Sequence, residues 1–205
     1  MSDNSHFVKA GSGSIVGSGL SGAAQDSIFN ALVQLMKEKE PSSISVTELC
    51  RMAGVSRMSY YRHYTCFEDI IIEHFSRMPI GFDPDLKPED IDPYEHSLIT
   101  FEYFYKERDL MESIVDNEFQ RVFIDFCNEY FHNEFKPIAV SLGFTEPYDL
   151  SALSGMYTFT IIDWVRNGFD LPAEEMAKFG ELIFKRSSFG LKETQLKAIL
   201  RDILK

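Results

Sequence analysis

The sequence predicts an all-α protein in two parts, a small N-terminal bundle containing a helix-turn-helix and a larger helical domain. Three observations lead there. From Ala23 onward apolar residues recur at three- and four-residue steps, as one face of a helix requires. No stretch sustains the two-residue alternation of a half-buried strand, and Gly, Pro, Ser and Asp punctuate the periodic segments where helices start or stop. At 205 residues and 44% hydrophobic content, the chain is long enough for a small and a medium domain, each with its own core. Residues 1–22 are rich in Gly and Ser and read as a flexible arm. Residues 23–78 form the first domain and 92–205 the second, joined through the Pro- and Asp-rich "PIGFDPDLKPEDIDP".

The first helix carries Ile28, Ala31, Leu32, Leu35 and Met36 on one face, and Pro41 ends it. Ser45 followed by Glu48 is a capping-box signature, in which serine accepts from the N3 amide and the glutamate returns to the cap amide. Val46, Leu49, Cys50 and Ala53 make the stripe of the second helix, and Gly54 is its left-handed terminator. Ser56 caps a third helix running to about Tyr64. Two short helices joined by a glycine-containing turn are the physical content of a helix-turn-helix. A fourth helix opens near Phe67, with Glu68 and Asp69 in the first turn where the macrodipole favours acids, and ends by Pro79. Further helices are expected at Tyr94–Lys106, Leu110–Val115, Glu118–Phe135, Tyr148–Arg166, Pro172–Lys185 and Glu193–Leu204.

Charge is distributed unevenly. The net charge is -12, and residues 81–205 carry 13 basic and 24 acidic side chains. Between Ser42 and Tyr64, however, Arg51, Arg57 and Arg62 face Glu48 alone. So acidic a chain is no general nucleic-acid coat, because non-specific binding needs a broad positive surface. Its cationic island instead suits a local contact with double-stranded DNA. At 100° per residue Tyr60 and Tyr64 share one face of the third helix and should plug the core. Arg57, Met58, Tyr61 and Arg62 spread over the other, flanked by Ser59 and His63. Arginine can bind guanine O6 and N7 in the major groove, an apolar tip such as Met58 can touch a thymine methyl, and hydroxyls can reach phosphates. Arg57 and Arg62 are the candidate base readers; Thr47, Tyr61 and His63 are the candidate backbone anchors.

The stretch "VTELCRMAGVSRMSYYRHYTCFEDII" resembles the N-terminal domain of TetR-family transcriptional regulators. There a helix-turn-helix passes into an aromatic "Y-x-x-F" end, a short charged turn, and a helix opening with acids and aliphatics. Tyr61, Tyr64, Glu68, Asp69, Ile70 and Ile71 fill those positions here. The resemblance covers residues 23–78 and implies a homodimer, a palindromic operator and a helical C-terminal domain that often takes a small-molecule effector. The family commonly places lysines after the aromatic end, one of which meets a phosphate; Thr65, Cys66 and Phe67 stand there instead. Each lost phosphate contact removes about 0.9 from the salt slope, so weaker and less salt-sensitive DNA binding is expected. "DWVRNGFDLPAEEMAKF" resembles a segment of a TetR subgroup that includes regulators of dihydroxyacetone kinase operons.

Residues 94–135 are dense in rings. Phe101, Phe104, Phe123 and Phe126, with His96 as a polar partner, are candidates for an effector pocket, or equally for plain helix packing. Leu153, Tyr157, Ile161 and Trp164 on one predicted helix and Phe179 on the next are candidates for an isologous four-helix dimer interface.

Other classes find little support. The cysteines Cys50, Cys66 and Cys127 are odd in number and without metal-like spacing, so they read as packed thiols. No metal, no cofactor and no catalytic residues are expected, since no HExxH, GxSxG or complete phosphate loop occurs. No apolar run is long enough for a bilayer and the N-terminal stretch lacks a basic region with an apolar core, so no membrane association and a cytoplasmic location are expected. The alternative function is a TetR-like interaction module that acts through a partner protein.

Overall fold

The computed structural model describes residues 20–77, 92–141 and 143–187, and the chain divides into two units between residues 78 and 79. The arm 1–19, the linking stretch 78–91 and the helix expected at Glu193–Leu204 lie outside the described residues. Among the described residues there are ten α-helices, one 3-10 turn and no strand, so the fold is all-α.

In the first unit, α1 (Gly22–Glu38) starts at Ser21, whose Oγ accepts from the Ala24 amide at 3.3 Å. Pro41 opens a short 3-10 turn, Pro41–Ser43. Next comes α2 (Val46–Ala53), capped by Ser45, and it stops at Gly54 with φ 68, the left-handed geometry that a Cβ resists. The Ser45 side chain accepts from the Glu48 amide at 3.2 Å, but the Glu48 carboxylate does not return to the cap. It pairs instead with Lys39 Nζ at 2.6 and 2.7 Å, a contact from the end of α1 that local pattern could not show.

The short α3 (Arg57–Tyr61) is capped by Ser56, whose Oγ accepts from the Ser59 amide at 3.0 Å. The regular helix ends three residues before the expected Tyr64. Even so, the amides of His63 and Tyr64 both donate to the Tyr60 carbonyl at 2.9 Å, so the turn to Tyr64 stays closed. The capping box of the unit belongs to α4 (Phe67–Ser76). Asp69 Oδ2 accepts from the amides of Thr65 (2.6 Å) and Cys66 (3.2 Å) and from Thr65 Oγ1 (2.7 Å). Against the cost of partial burial, these donors hold the Asp69 carboxyl below the ordinary carboxylate range. Ile28, Leu32 and Leu35 of α1, Leu49 of α2, Tyr60 and Tyr64 around α3, and Ile70, Ile71 and Phe75 of α4 close the core.

The second unit contains α5 (Pro93–Lys106), α6 (Arg108–Ile114), α7 (Gln120–Asn133), α8 (Lys136–Ser141), α9 (Asp149–Arg166) and α10 (Ala173–Ser187). Asp92 caps α5 by accepting from the Tyr94 amide at 2.9 Å, with Pro93 at the first helical position where its missing N–H costs nothing. The helix expected over Glu118–Phe135 ends at Asn133, and α8 follows as a separate turn. Pro137 explains the break: within a continuous helix its ring would strike the carbonyl four residues back, whereas near the start of α8 it is tolerated. α10 packs most extensively on α5, and α7 on α9.

Candidate nucleic-acid interface

Local capping positions α3 for contact. With only five residues, it depends on the Ser56 cap at one end and on its core anchor Tyr60, which is fully buried. Opposite Tyr60, Met58 is 78% and Tyr61 62% exposed, and Arg57 and Arg62 are exposed beside them. Thr47 is exposed on α2 and accepts from Arg57 Nη1 at 3.5 Å, which brings the start of α2 to the start of α3. Ser59 is half-buried, its Oγ 2.9 Å from Ser56 Oγ. His63 is half-buried too, and its Nε2 accepts from the Leu20 amide at 3.1 Å.

Arg51 was not among the expected contact residues, yet it is exposed on α2, one helical turn beyond Thr47. The four-residue spacing of Thr47 and Arg51 was the available signal.

Ion pairing sets the local field. Glu48 pairs with Lys39, and Asp26 and Glu73 share Arg77, while Asp69 accepts hydrogen bonds from the amides of Thr65 and Cys66. Among the described residues Arg51, Arg57 and Arg62 belong to no ion pair, so their charge is free to face an external anion. Phe67, where the resemblance expects a lysine, is half-buried with its ring 6.4 Å from Tyr60, edge to face. The position serves packing.

In the second unit, Phe101, Phe104 and Phe123 are at most 2% exposed, and Phe126 is half-buried. Phe104 meets Phe123 edge-on at 5.4 Å, while Phe101 stacks on Tyr157 at 6.1 Å and meets Trp164 edge-on at 5.5 Å. The His96 ring lies 5.7 Å from Phe135 and 6.1 Å from Phe184, and burial pushes its pKa down to about 4. It is neutral at ordinary pH.

Leu153, Tyr157, Ile161 and Trp164 are at most 3% exposed within the single chain. Tyr157 Oη shares a hydrogen bond with Ser97 Oγ, and Trp164 Nε1 donates to the Leu171 carbonyl at 2.9 Å. These side chains therefore build the chain's own core. Phe179, by contrast, is exposed, as are Met156 and Phe159 on α9 and Leu182 on α10. α9 thus carries a second apolar stripe, Ala152, Met156 and Phe159, which the stronger one masked in the sequence.

Residues 92–185 match a TetR-type protein family described as "Transcriptional regulator C-terminal region". The fold is similar to that of the dihydroxyacetone kinase operon activator DhaS, with a TM-score of 0.54 and 14% identity over 80% of this chain and 94% of that one. It is similar also to the fatty acid degradation regulator FadR from Bacillus halodurans, with a TM-score of 0.54 and 17% identity over 84% of this chain and 98% of that one. No curated protein sequence matches the chain. At such identities the structural likeness speaks for the fold, and the matched C-terminal region speaks for descent. The second unit thus carries a TetR-type regulator C-terminal region over residues 92–185, and the chain has the all-α fold of TetR-type regulators.

Proposed function

We propose that this protein is a transcriptional regulator that reads a palindromic operator as a homodimer, with α3 of each protomer in the major groove and a small-molecule effector controlling the second unit. The observation that carries the reading is the α3 surface. Two unpaired arginines, Arg57 and Arg62, stand beside the exposed Met58 and Tyr61 on a helix held from below by a buried tyrosine. Arg57 and Arg62 read base edges; Thr47, Ser59, Tyr61 and His63 hold the sugar-phosphate backbone, and Arg51 adds a phosphate contact. In this scheme residues 23–78 are the DNA-binding domain and residues 92–205 the dimerisation and effector domain.

The dimer contact falls on the exposed apolar residues of α9 and α10, Met156, Phe159, Phe179 and Leu182, and not on the inward stripe of Leu153, Tyr157, Ile161 and Trp164. A two-fold axis then sets the two α3 helices about 34–36 Å apart for adjacent major grooves. The ring-rich packing around Phe101, Phe104, Phe123, Phe126 and His96 favours an effector of apolar or amphipathic character. Such an effector acts only through its different affinities for the two arrangements of the dimer.

The test is selection of bound sequences from random duplex DNA with the full-length protein. An enriched palindrome is expected, and Arg57→Ala should weaken binding to it by about 1–3 kcal/mol. An unchanged affinity for the selected site removes Arg57 from the reading. No enrichment by a folded dimer favours action through a partner protein, which the apolar packing of Phe67 at the lysine position would then explain.

A further inference from the structure

We propose that Glu73 is a positioning residue for operator reading, which acts through the hydroxyl of Tyr64 to fix the end of the α3 segment against α4. The inference rests on the proposed DNA-reading function of α3. Tyr64 closes the turn after that helix, with its amide on the Tyr60 carbonyl at 2.9 Å and its ring 5.6 Å from that of Tyr60. Wherever Tyr64 is held, the last turn of α3 is held with it.

The Tyr64 hydroxyl donates to Glu73 Oε2. Glu73 Oε1 accepts from Gln25 Nε2 at 2.7 Å, on α1, and from Arg77 Nη2 at 2.9 Å, just past the end of α4. Arg77 in turn reaches back to α1, donating to Gln25 Oε1 at 2.7 Å and to Asp26 Oδ1 at 3.1 Å. One carboxylate therefore joins three elements: α1, the α3 turn and α4. Both of its oxygens are engaged and its charge is balanced by Arg77, an arrangement that gives direction as well as energy.

Packing alone does not require it. A phenylalanine at the position of Tyr64 would fill the same core without reaching Glu73. The added hydroxyl converts a non-directional contact into a directional one, and Glu73 is its recipient. Base readout by Arg57 and Arg62 demands a fixed helix orientation, whereas phosphate attraction does not. Loss of the link should thus cost specific binding more than non-specific binding.

The experiment compares full-length wild type, Tyr64→Phe, Glu73→Leu, Glu73→Gln and the double Tyr64→Phe/Glu73→Leu variant. Each is measured for affinity to the selected operator, for affinity to a scrambled duplex of equal length, and for Tm. Tyr64→Phe keeps the core filled, and is expected to lose about tenfold in operator affinity, the worth of one hydrogen bond to a charged group. Its affinity for scrambled duplex should stay within about twofold, because no phosphate contact changes. Glu73→Leu should lose as much, the double variant no more than either single one, and Glu73→Gln, which keeps an acceptor for Tyr64, should recover most of the loss. Operator binding by Tyr64→Phe equal to wild type overturns the proposal. So does a parallel fall for operator and scrambled duplex that tracks Tm, which would make the link merely structural. A wild-type protein that enriches no sequence overturns the DNA-reading function as well, and the two failures are thereby told apart.

Discussion

Gly180 on α10 is the position where one methyl group should do the most damage to the second unit. The residue is buried against α5 and α9, and a Cβ built there would lie 2.5 Å from Tyr157 Oη and inside contact with Ser97. Carbon and oxygen atoms pack at about 3.5 Å, so either α10 must back away from α5 or the Ser97–Tyr157 pair must part. That pair is bonded at 2.5 Å, and Ser97 and Tyr157 are 0% and 3% exposed. Overpacking costs about 1–3 kcal/mol. Parting a buried hydrogen-bonded pair costs about 1–3 kcal/mol more. Alanine in a helix interior offsets about 1 kcal/mol through its better propensity. The net for Gly180→Ala is therefore a loss of about 1–5 kcal/mol with a midpoint of about 3, or about 10 °C in Tm for a unit of this size. Calorimetry on the full chain, following the transition of the second unit, reads it directly. Gly155→Ala is the control: nothing lies within 4 Å of an added Cβ there, so propensity acts alone and a gain of up to about 1 kcal/mol is expected. Gly180→Ala with a Tm at or above wild type would refute the claim that contact at this point outweighs helix propensity.

Two further substitutions probe the first unit. Ser56→Ala removes the acceptor for the Ser59 amide and should cost about 1 kcal/mol; because α3 has only five residues, operator affinity should fall with the Tm, and a loss of neither would show that the cap is dispensable. Tyr60→Phe should run the other way: the Tyr60 hydroxyl is buried without a hydrogen-bond partner, and its removal should raise stability by up to about 1 kcal/mol in denaturant unfolding, whereas a clear loss would mean that the hydroxyl is satisfied in solution.

The caps of α2 and α3, the glycine stop between them and the inward face of Tyr60 and Tyr64 could all be read from sequence, because each depends on residues within about one helical turn of each other. Longer-range features could not. Glu48 looks like a capping-box glutamate until Lys39 arrives from the end of α1. Gln25 and Glu73 meet across 48 positions, and Arg77 reaches Asp26 across 51, with no periodicity to announce either contact. The same limit applies to the stripe offered for a dimer contact. An apolar stripe on α9 says that one face is buried but not by which partner, and the stronger stripe proved to serve the chain's own core. The break before Pro137 went unread, and α8, the short turn that contains it, is too brief to show a period.

On the proposed function, the paradox of an acidic chain holding DNA resolves at the level of single pairs. A net charge of -12 opposes approach to a polyanion only where the charge is felt, and at physiological ionic strength exposed charges fade over about 8 Å. Within that range of α3 what counts is which acids are already spent. Glu48 is paired with Lys39, and Asp26 and Glu73 share Arg77, so these acids are engaged inside the first unit, while Arg51, Arg57 and Arg62 belong to no ion pair among the described residues. A reader with few cations gains little from counterion release, about 0.9 in salt slope for each phosphate neutralised, and binds random DNA weakly. Its discrimination then depends on base contacts, whose worth falls steeply when the reading helix is misaimed. A sparse cationic surface and a directional Glu73–Tyr64 link are, in that light, two parts of one solution: the fewer the phosphate contacts that hold a helix in register, the more its orientation must be fixed from within.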